Sequence, residues 1–278
     1  MSYITATTLE DALDALAAGS ASVIAGGTDW FPAQGDRHFD GTLVDISRLT
    51  ELRGVTKTDT GWRIGAATTW TDIIKADLPP AFHGLKLAAR EVGSVQIQNT
   101  GTLAGNLCNA SPAADGVPPL LTLDATVELS STQGTRQMPL GAFLQGVRKT
   151  DRAAHEILTA VFVPDLPKGS TGSFVKLGAR KYLVISICMV AVLVTVQGGL
   201  VSDIRIGVGA ASPTAQRLTA LEDSLRGLPV DGLIKAVTDE VILALSPISD
   251  VRASADYRQS AAPQVIRRAI TLALEGVA

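Results

Sequence analysis

Two glycine-rich segments are the parts of this sequence best suited to holding an anionic ligand. The first consists of Ala25, Gly26, Gly27, Thr28 and Asp29; the second runs from Thr100 to Asn106 and includes Gly101, Thr102, Leu103, Ala104 and Gly105. Glycine permits backbone conformations in which consecutive N–H groups point at one anion, and its missing side chain lets the main chain approach a diphosphate closely. Each segment taken alone could equally be a tight turn.

A polar string follows the second glycine segment and ends at an acid. Residues 106–115 read Asn-Leu-Cys-Asn-Ala-Ser-Pro-Ala-Ala-Asp, with neither a helical nor a strand period. Such polar groups are costly to bury unless they find partners, and a ligand rich in donors and acceptors would supply them. Asp115 could accept hydrogen bonds from a ribose, although a single aspartate is more often a turn residue. The string favours a nucleotide-like ligand.

A third glycine pair competes with these two segments. Residues 207–212 read Gly-Val-Gly-Ala-Ala-Ser, between a predicted strand and a predicted helix, as a Rossmann dinucleotide fingerprint requires. Ser212 stands where the third glycine belongs, and no βαβ unit surrounds it. We therefore predict that Ser212 is the N-cap of a helix in which Pro213 is the first residue.

The other reactive residue types form no catalytic or metal-binding pattern. His38, His83 and His155 share no metal-ligand spacing, and no serine or cysteine has a nucleophile-elbow context. Cys108 and Cys188 are too few and too far apart to hold an iron–sulfur cluster or a structural zinc. We predict no catalytic side chain and no metal ligand here, so any metal centre would belong to a partner.

Composition excludes several functional classes. The chain has 278 residues, 46% of them hydrophobic and 18% charged, as is typical of a folded protein with room for two domains. Its net charge is −3, without a basic cluster, so we expect no nucleic-acid partner. The longest apolar run, residues 183–196, is shorter than the roughly 20 residues of a membrane span. No signal-peptide pattern occurs in the first twenty residues, and we expect a cytoplasmic location.

Helices and strands are predicted to alternate around the glycine segments. A capping-box pattern at residues 7–10 opens a helix, and a strand at residues 21–25 leads into the first segment. A helix at residues 85–92 precedes the second segment. Proline and glycine cluster at residues 164–172, where we place a domain boundary. Beyond it we predict a hairpin that turns at Gly198 and Gly199, and a last helix over residues 263–274.

These motifs resemble those of one family, the FAD-binding medium subunits of molybdenum hydroxylases, which include bacterial xanthine dehydrogenases and carbon monoxide dehydrogenases. Residues 25–29 resemble its first flavin loop, and residues 96–115 resemble its second and most specific motif almost throughout. Residues 176–186 and 251–258 are similar to the opening and closing motifs of its C-terminal domain. Gln98 and Ala104 depart from the pattern, since many relatives have arginine and glycine there.

The resemblance implies an α+β fold. It consists of two α/β FAD-binding subdomains of the vanillyl-alcohol oxidase (PCMH) type, about residues 1–55 and 56–165, and a C-terminal antiparallel sheet-and-helix domain over residues 172–278. By the same likeness, residues 25–29 and 102–106 bind the diphosphate of FAD through main-chain N–H groups. Ser111 and Asp115 reach other polar parts of the cofactor. Lys181 lies near the isoalloxazine, where a positive charge favours the reduced anionic flavin.

The resemblance also implies a function, that of an FAD-carrying electron-transfer subunit. A large partner with molybdopterin hydroxylates the substrate, and a small partner with [2Fe-2S] clusters passes the electrons to FAD. They leave to NAD+, oxygen or another acceptor, and the complex is a dimer of heterotrimers, a heterohexamer. Two alternatives stay open: a stand-alone flavin oxidase or dehydrogenase, which usually has a larger cap domain, and a non-catalytic protein that binds a phosphate ligand.

Overall fold

Three main sheets build the part of the chain that the computed structural model describes, residues 1–277. The first sheet is parallel, with strand order β1-β3-β2. Its unit contains β1 (Ser2–Thr5), α1 (Leu9–Ala17), β2 (Ala21–Ile24), α2 (Trp30–Gln34) and β3 (Thr42–Asp45). The predicted strand over residues 21–25 is thus confirmed, and its carboxyl end delivers the first glycine segment to the edge of the sheet.

The capping box of α1 lies one residue later than the sequence pattern predicts. The hydroxyl of Thr8 accepts a hydrogen bond from the Asp11 N–H, and the Asp11 carboxylate accepts one from the Thr8 N–H. Leu13 and Leu16 lie on the buried face of this helix. The predicted amphipathic helix is therefore correct in its buried face, while its cap is set by Asp11.

The second sheet is antiparallel, with strand order β4-β5-β10-β6-β7. Several short helices pack against one another and against this sheet around a buried Trp70. In chain order the elements are β4 (Val55–Thr58), β5 (Gly61–Gly65), α3 (Trp70–Lys75), α4 (His83–Glu91), α5 (Val95–Thr100), α6 (Leu103–Asn109), α7 (Val117–Thr122), β6 (Thr126–Ser131), β7 (Gly134–Pro139), α8 (Leu140–Phe143), β8 (Leu144–Gly146), β9 (Lys149–Thr150) and β10 (Ile157–Pro164).

Part of the polar string is helical, which corrects the prediction of an aperiodic segment. Helix α6 begins because the Thr102 hydroxyl accepts the Gly105 N–H at 3.1 Å. Leu103, Ala104 and Leu107 bury one face of it in the core of the second sheet. Only two turns are formed, so the buried positions are too few to show a helical period in the sequence.

The third sheet is antiparallel, with strand order β11-β12-β13-β14. Gly198 and Gly199 turn between β12 and β13 with φ values of 59° and 79°, so the predicted hairpin is confirmed. Helix α11 covers one face of the sheet. In chain order the elements are β11 (Thr171–Leu177), β12 (Cys188–Gln197), β13 (Leu200–Gly209), β14 (Gln216–Arg217), α9 (Thr219–Leu225), α10 (Leu233–Ala236) and α11 (Ala255–Glu275).

Strand β12 is buried on both faces, which explains its continuous apolar run. Val190 and Val192 pack in the core that contains α11, whereas Met189 and Ala191 pack with Ala88 of α4 on the opposite face. A strand covered on both sides does not alternate apolar and polar residues. The sheet is thus enclosed between α11 and helices of the preceding unit, and the predicted α+β fold class is confirmed.

Two predicted helix starts are wrong. No helix begins at Ser212, whose hydroxyl instead donates to the Ala211 carbonyl and accepts the Ser246 N–H; α9 begins at Thr219. The last helix begins at Ala255 and contains Pro263 in its interior, because Ser254 caps it two turns before the proline. Ser212 does not cap a helix because its hydroxyl binds Ser246, 34 residues further along the chain, and a local sequence pattern does not show such a partner.

The third glycine pair, Gly207 and Gly209, allows close packing between β13 and α7. A Cβ atom on Gly207 would lie 2.6 Å from the Pro118 carbonyl oxygen, so this residue lets β13 approach α7. Both Gly207 and Gly209 belong to β13 itself, not to a strand-to-helix loop. The Rossmann interpretation is excluded by this geometry, since a phosphate loop must leave the strand and open a helix.

Among residues 1–277, no helix combines the length and the apolar character needed to cross a membrane.

Candidate functional site

A cleft of about 680 Å³ lies between the carboxyl edge of the first sheet and helix α6. This is the usual size range of a small-molecule site. Both glycine segments contribute to its wall. The predicted cofactor residues that line it are Ala25, Gly26, Gly27, Thr28, Asp29, Thr102, Gly105, Asn106 and Ser111.

The two glycine segments meet at one side of this cleft. Gly26 packs against the carbonyl of Thr100, and the hydroxyl of Thr28 lies 3.4 Å from the Cβ position of Gly101. Thr68, just before α3, and Trp70, the first residue of α3, hold the second segment in place. The Leu103 N–H donates to the Thr68 carbonyl, and the Trp70 N–H donates to the Gly101 carbonyl. The structure therefore brings together two segments that lie far apart in the sequence.

The first segment carries the unengaged hydrogen-bond donors. Within residues 1–277, the backbone N–H groups of Gly26, Gly27, Thr28 and Asp29 donate to no protein acceptor. Gly27 has φ = +66°, in the left-handed region that glycine adopts without strain. Consecutive free amides beside a left-handed residue are the arrangement of an anion-binding nest.

The second segment is engaged more fully than its sequence indicates. The amides of Leu103, Gly105 and Asn106 donate to the Thr68 carbonyl, the Thr102 hydroxyl and the Thr102 carbonyl, respectively. Leu103 and Ala104 are buried in the core, while Thr102, Gly105 and Asn106 form the cleft side of α6. This segment therefore supplies the wall of the cleft, and its Leu103, Gly105 and Asn106 amides already have protein acceptors.

Two arginines that the sequence did not indicate as ligand-binding residues also belong to the cleft. Arg148 and Arg152 both line the cleft. The Arg148 guanidinium donates to Asn109 at the end of α6, and the Arg152 guanidinium donates to the Ala153 and Glu156 carbonyls. They add positive charge to the wall. In the sequence they belong to neither glycine segment and to no basic cluster, so no local pattern indicates them.

Cys108 also lines the cleft, and its thiol stays protonated. Burial raises its pKa to about 11, against a smaller opposing effect of the Arg152 charge. Because the thiolate is the reactive form of cysteine, this side chain contributes packing and no nucleophile at neutral pH.

Asp115 lies behind the cleft wall. Its carboxylate accepts hydrogen bonds from the Lys176 ammonium at 2.9 Å and from the Ser186 hydroxyl at 3.0 Å. Burial raises the pKa of Asp115, and the opposing effect of the contacts with Lys176 and Ser186 is smaller, so the pKa lies above its usual value. Its contacts are thus with residues around the β11–β12 connection. Direct contact between Asp115 and a cofactor stays a prediction.

Lys181 lies on the exposed connection between β11 and β12. Its ammonium sits 5.2 Å from the ring centre of the neighbouring Tyr182, and the side chain is exposed. From the same connection, Ile185 reaches the cleft wall. The connection therefore borders the cleft, and the role of Lys181 beside a flavin stays a prediction.

Comparison with known proteins gives matches over nearly the whole chain. Residues 1–166 match the family model described as the FAD binding domain in molybdopterin dehydrogenase, and residues 173–273 match the CO dehydrogenase flavoprotein C-terminal domain. The chain is 35% identical to the xanthine dehydrogenase FAD-binding subunit of Escherichia coli O157:H7, over 98% of this chain and 97% of that protein.

Two further relatives agree with these matches. The nicotine 6-hydroxylase medium subunit of Paenarthrobacter nicotinovorans is 31% identical, with 96% of this chain and 95% of that protein covered. Among solved structures, the carbon monoxide dehydrogenase from Hydrogenophaga pseudoflava that lacks the Mo-pyranopterin moiety of its molybdenum cofactor superposes with a TM-score of 0.90 at 28% identity. That superposition covers 100% of this chain and 98% of the matched one.

Proposed function

We infer the function of this protein from the fact that the chain belongs to the FAD-binding subunits of the molybdenum hydroxylase family. It is accordingly a subunit of an oxidoreductase, and its cofactor is FAD. We propose that it takes electrons from [2Fe-2S] clusters on a small partner subunit and passes them to NAD+, oxygen or another acceptor. A large partner would carry molybdopterin and oxidise the substrate.

The proposal extends to assembly. The relatives named as FAD-binding and medium subunits support a complex with two partner chains, which we propose to be a cytoplasmic dimer of heterotrimers. The substrate would then be chosen by the large partner, so this chain needs no substrate pocket of its own.

The observation that carries the proposal is the set of unengaged amides at residues 26–29, facing a cleft that a second glycine segment closes. These amides would hold the diphosphate of FAD, with Thr102, Gly105 and Asn106 forming the adjoining wall. Ser111, on the cleft wall beyond α6, would contact another polar part of the cofactor. Arg148 and Arg152 would offset its negative charge.

Bound FAD supplies the ability to accept electrons singly and release them as a pair. The chain's own contribution is to bind and orient that group. Its cleft residues supply amides, hydroxyls and guanidinium groups, which fix position and charge, and the protonated Cys108 thiol adds no charge of its own.

The experiment is to purify the protein, together with the polypeptides that bind it, from cells that express it. The visible spectrum and the metal content of the purified sample are then recorded. We expect flavin absorbance with one FAD per chain, and co-purification with two other polypeptides that carry iron and molybdenum. A colourless protein that takes up no FAD would favour a phosphate-ligand binding protein instead. A yellow protein that oxidises a substrate without partners would favour the stand-alone oxidase.

A further inference from the structure

We propose that Asp115 is a positioning residue, which fastens the β11–β12 connection (residues 178–187) to the cleft and thereby sets where Ile185 and Lys181 stand relative to the flavin. This inference rests on the proposed function, because it takes FAD to lie in the cleft. It concerns the contacts of Asp115 within the protein and is separate from the expectation that Asp115 also contacts the cofactor, which stays a prediction.

The carboxylate of Asp115 joins the two ends of this connection. Lys176 lies near the end of β11 and Ser186 lies just before β12, and they bind different oxygens of Asp115 at 2.9 Å and 3.0 Å. The strands meet at this point, since Leu177 pairs with Cys188 and the Ile187 N–H donates to the Leu177 carbonyl at 2.8 Å. These paired ends, residues 176–177 and 186–188, form the neck of the connection. Asp115 links its two sides through Lys176 and Ser186.

The same contact lies directly behind the cleft wall. Ala114 and Ile185 both line the cleft, and each precedes one partner of the Asp115–Ser186 hydrogen bond in the chain. A change in that bond would therefore move two wall residues contributed by different parts of the sequence.

The ion pair between Lys176 and Asp115 is buried, so breaking it would be costly. The side chains of Lys176 and Asp115 are 5% and 10% exposed, and the Lys176 ammonium also donates to the Glu91 carbonyl at 3.1 Å. Removing one partner of such a pair leaves an uncompensated buried charge, so its geometry is strongly held.

Between its two ends the connection has few buried contacts, and at its β12 end the buried Arg258 guanidinium also donates to the Ile187 carbonyl. Tyr182, Leu183 and Ile185 are each at least half exposed, and Leu183 has φ = +52°, which is unusual for a residue with a branched side chain. Its internal contacts include the hydrogen bonds from the Arg180 guanidinium to the Leu183 carbonyl. A segment with few buried contacts takes its position from its anchored ends.

The test compares Ser186→Ala and Asp115→Asn with the wild-type protein and with Glu222→Gln as the matched control. Glu222 is a buried carboxylate bound by Arg217 in the C-terminal domain, and it does not line the cleft described in residues 1–277. Ser186→Ala keeps the Lys176 ion pair, so it carries the test even where Asp115→Asn does not fold.

The first readout needs no flavin. Trypsin cuts after Arg180 and Lys181, which are both exposed. Loss of one hydrogen bond at the neck should raise the rate of this cleavage roughly two- to tenfold. We expect Asp115→Asn to give a larger increase and Glu222→Gln to cut at the wild-type rate.

The second readout is the visible spectrum and midpoint potential of FAD in the purified holoprotein. We expect both to shift in Ser186→Ala and Asp115→Asn and to keep their wild-type values in Glu222→Gln. Wild-type cleavage rates in Ser186→Ala, or faster cleavage with an unchanged flavin spectrum and potential, would overturn the proposal. A wild-type protein without FAD would instead overturn the proposed function, while the proteolysis would still show whether Asp115 holds the connection.

Discussion

The carbonyl oxygen of Thr100 lies 1.9 Å from the position that a Cβ atom would take on Gly26. The contact is between two backbones, so neither side can move away as a flexible side chain would. Through it the first glycine segment contacts Thr100, which is both the last residue of α5 and the first residue of the second glycine segment. The position of the free amides therefore depends on residue 26 having no Cβ atom.

Replacing Gly26 by alanine should separate the two segments. We expect Gly26→Ala to lose most of its bound FAD and to lower the free energy of unfolding by about 1–3 kcal/mol, the usual cost of overpacking. The FAD-to-protein ratio after purification and urea denaturation measure the two effects. Gly232→Ala is the matched control, because Gly232 has φ = −87° and nothing within 4 Å of its Cβ position. Equal FAD content in both variants would contradict the prediction.

Removing the cap of α6 should affect both stability and cofactor binding. Thr102→Ala leaves the Gly105 N–H without its acceptor, at a cost of about 1 kcal/mol. Ser254→Ala removes the equivalent cap from α11, far along the chain, at a similar cost. We expect only Thr102→Ala to weaken FAD binding, as measured by fluorescence titration. The same loss of affinity in both variants would show that general destabilisation is responsible.

Removing the buried Arg258 should be among the most destabilising single changes in the C-terminal domain. Its guanidinium donates to the Ile187 and Ala210 carbonyls and to Asp250, and the side chain is 3% exposed. Loss of one partner from such a network costs about 3–5 kcal/mol. Arg268 is exposed on the same helix, so Arg268→Met should change the free energy of unfolding by no more than about 0.5 kcal/mol. Urea denaturation of Arg258→Met and Arg268→Met compares the two.

The charge of Asp250 should make stability depend on pH in the acid range. Burial raises the pKa of Asp250, but hydrogen bonds from Arg252, Ala253 and Arg258 outweigh it and lower the pKa from 3.8 to about 2. A carboxylate whose pKa is lowered by folding contributes stability above its unfolded pKa, and that contribution disappears as the pH falls from about 4 to about 2.

Asp250→Asn should therefore be less stable than wild type at neutral pH, and the difference should shrink as the pH falls through this range. Urea midpoints at pH 7, 4 and 3 measure it, together with circular dichroism to confirm that both proteins are folded. A difference that stays constant with pH would contradict the assignment.

Local features of the sequence predicted much of the fold. The strand at residues 21–25, the helix before Gly93 and the hairpin at Gly198 and Gly199 depend on nearby residues, and each is present. Two predictions failed because a distant partner decides. Ser212 resembles an N-cap, yet its hydroxyl binds Ser246, and residues 103–109 form a helix because the core covers Leu103 and Leu107.

The sequence by itself determined which segments can approach a diphosphate and which family they belong to, because the absence of a Cβ atom and the order of a motif are properties of the chain alone. Only the tertiary structure decided which of those segments keeps free amides and where Asp115 directs its carboxylate. Its partner Lys176 lies 61 residues further along the chain. The physical reason is that a donor or a charge is satisfied by whatever folds beside it, and that neighbour is known only once the backbone has been placed.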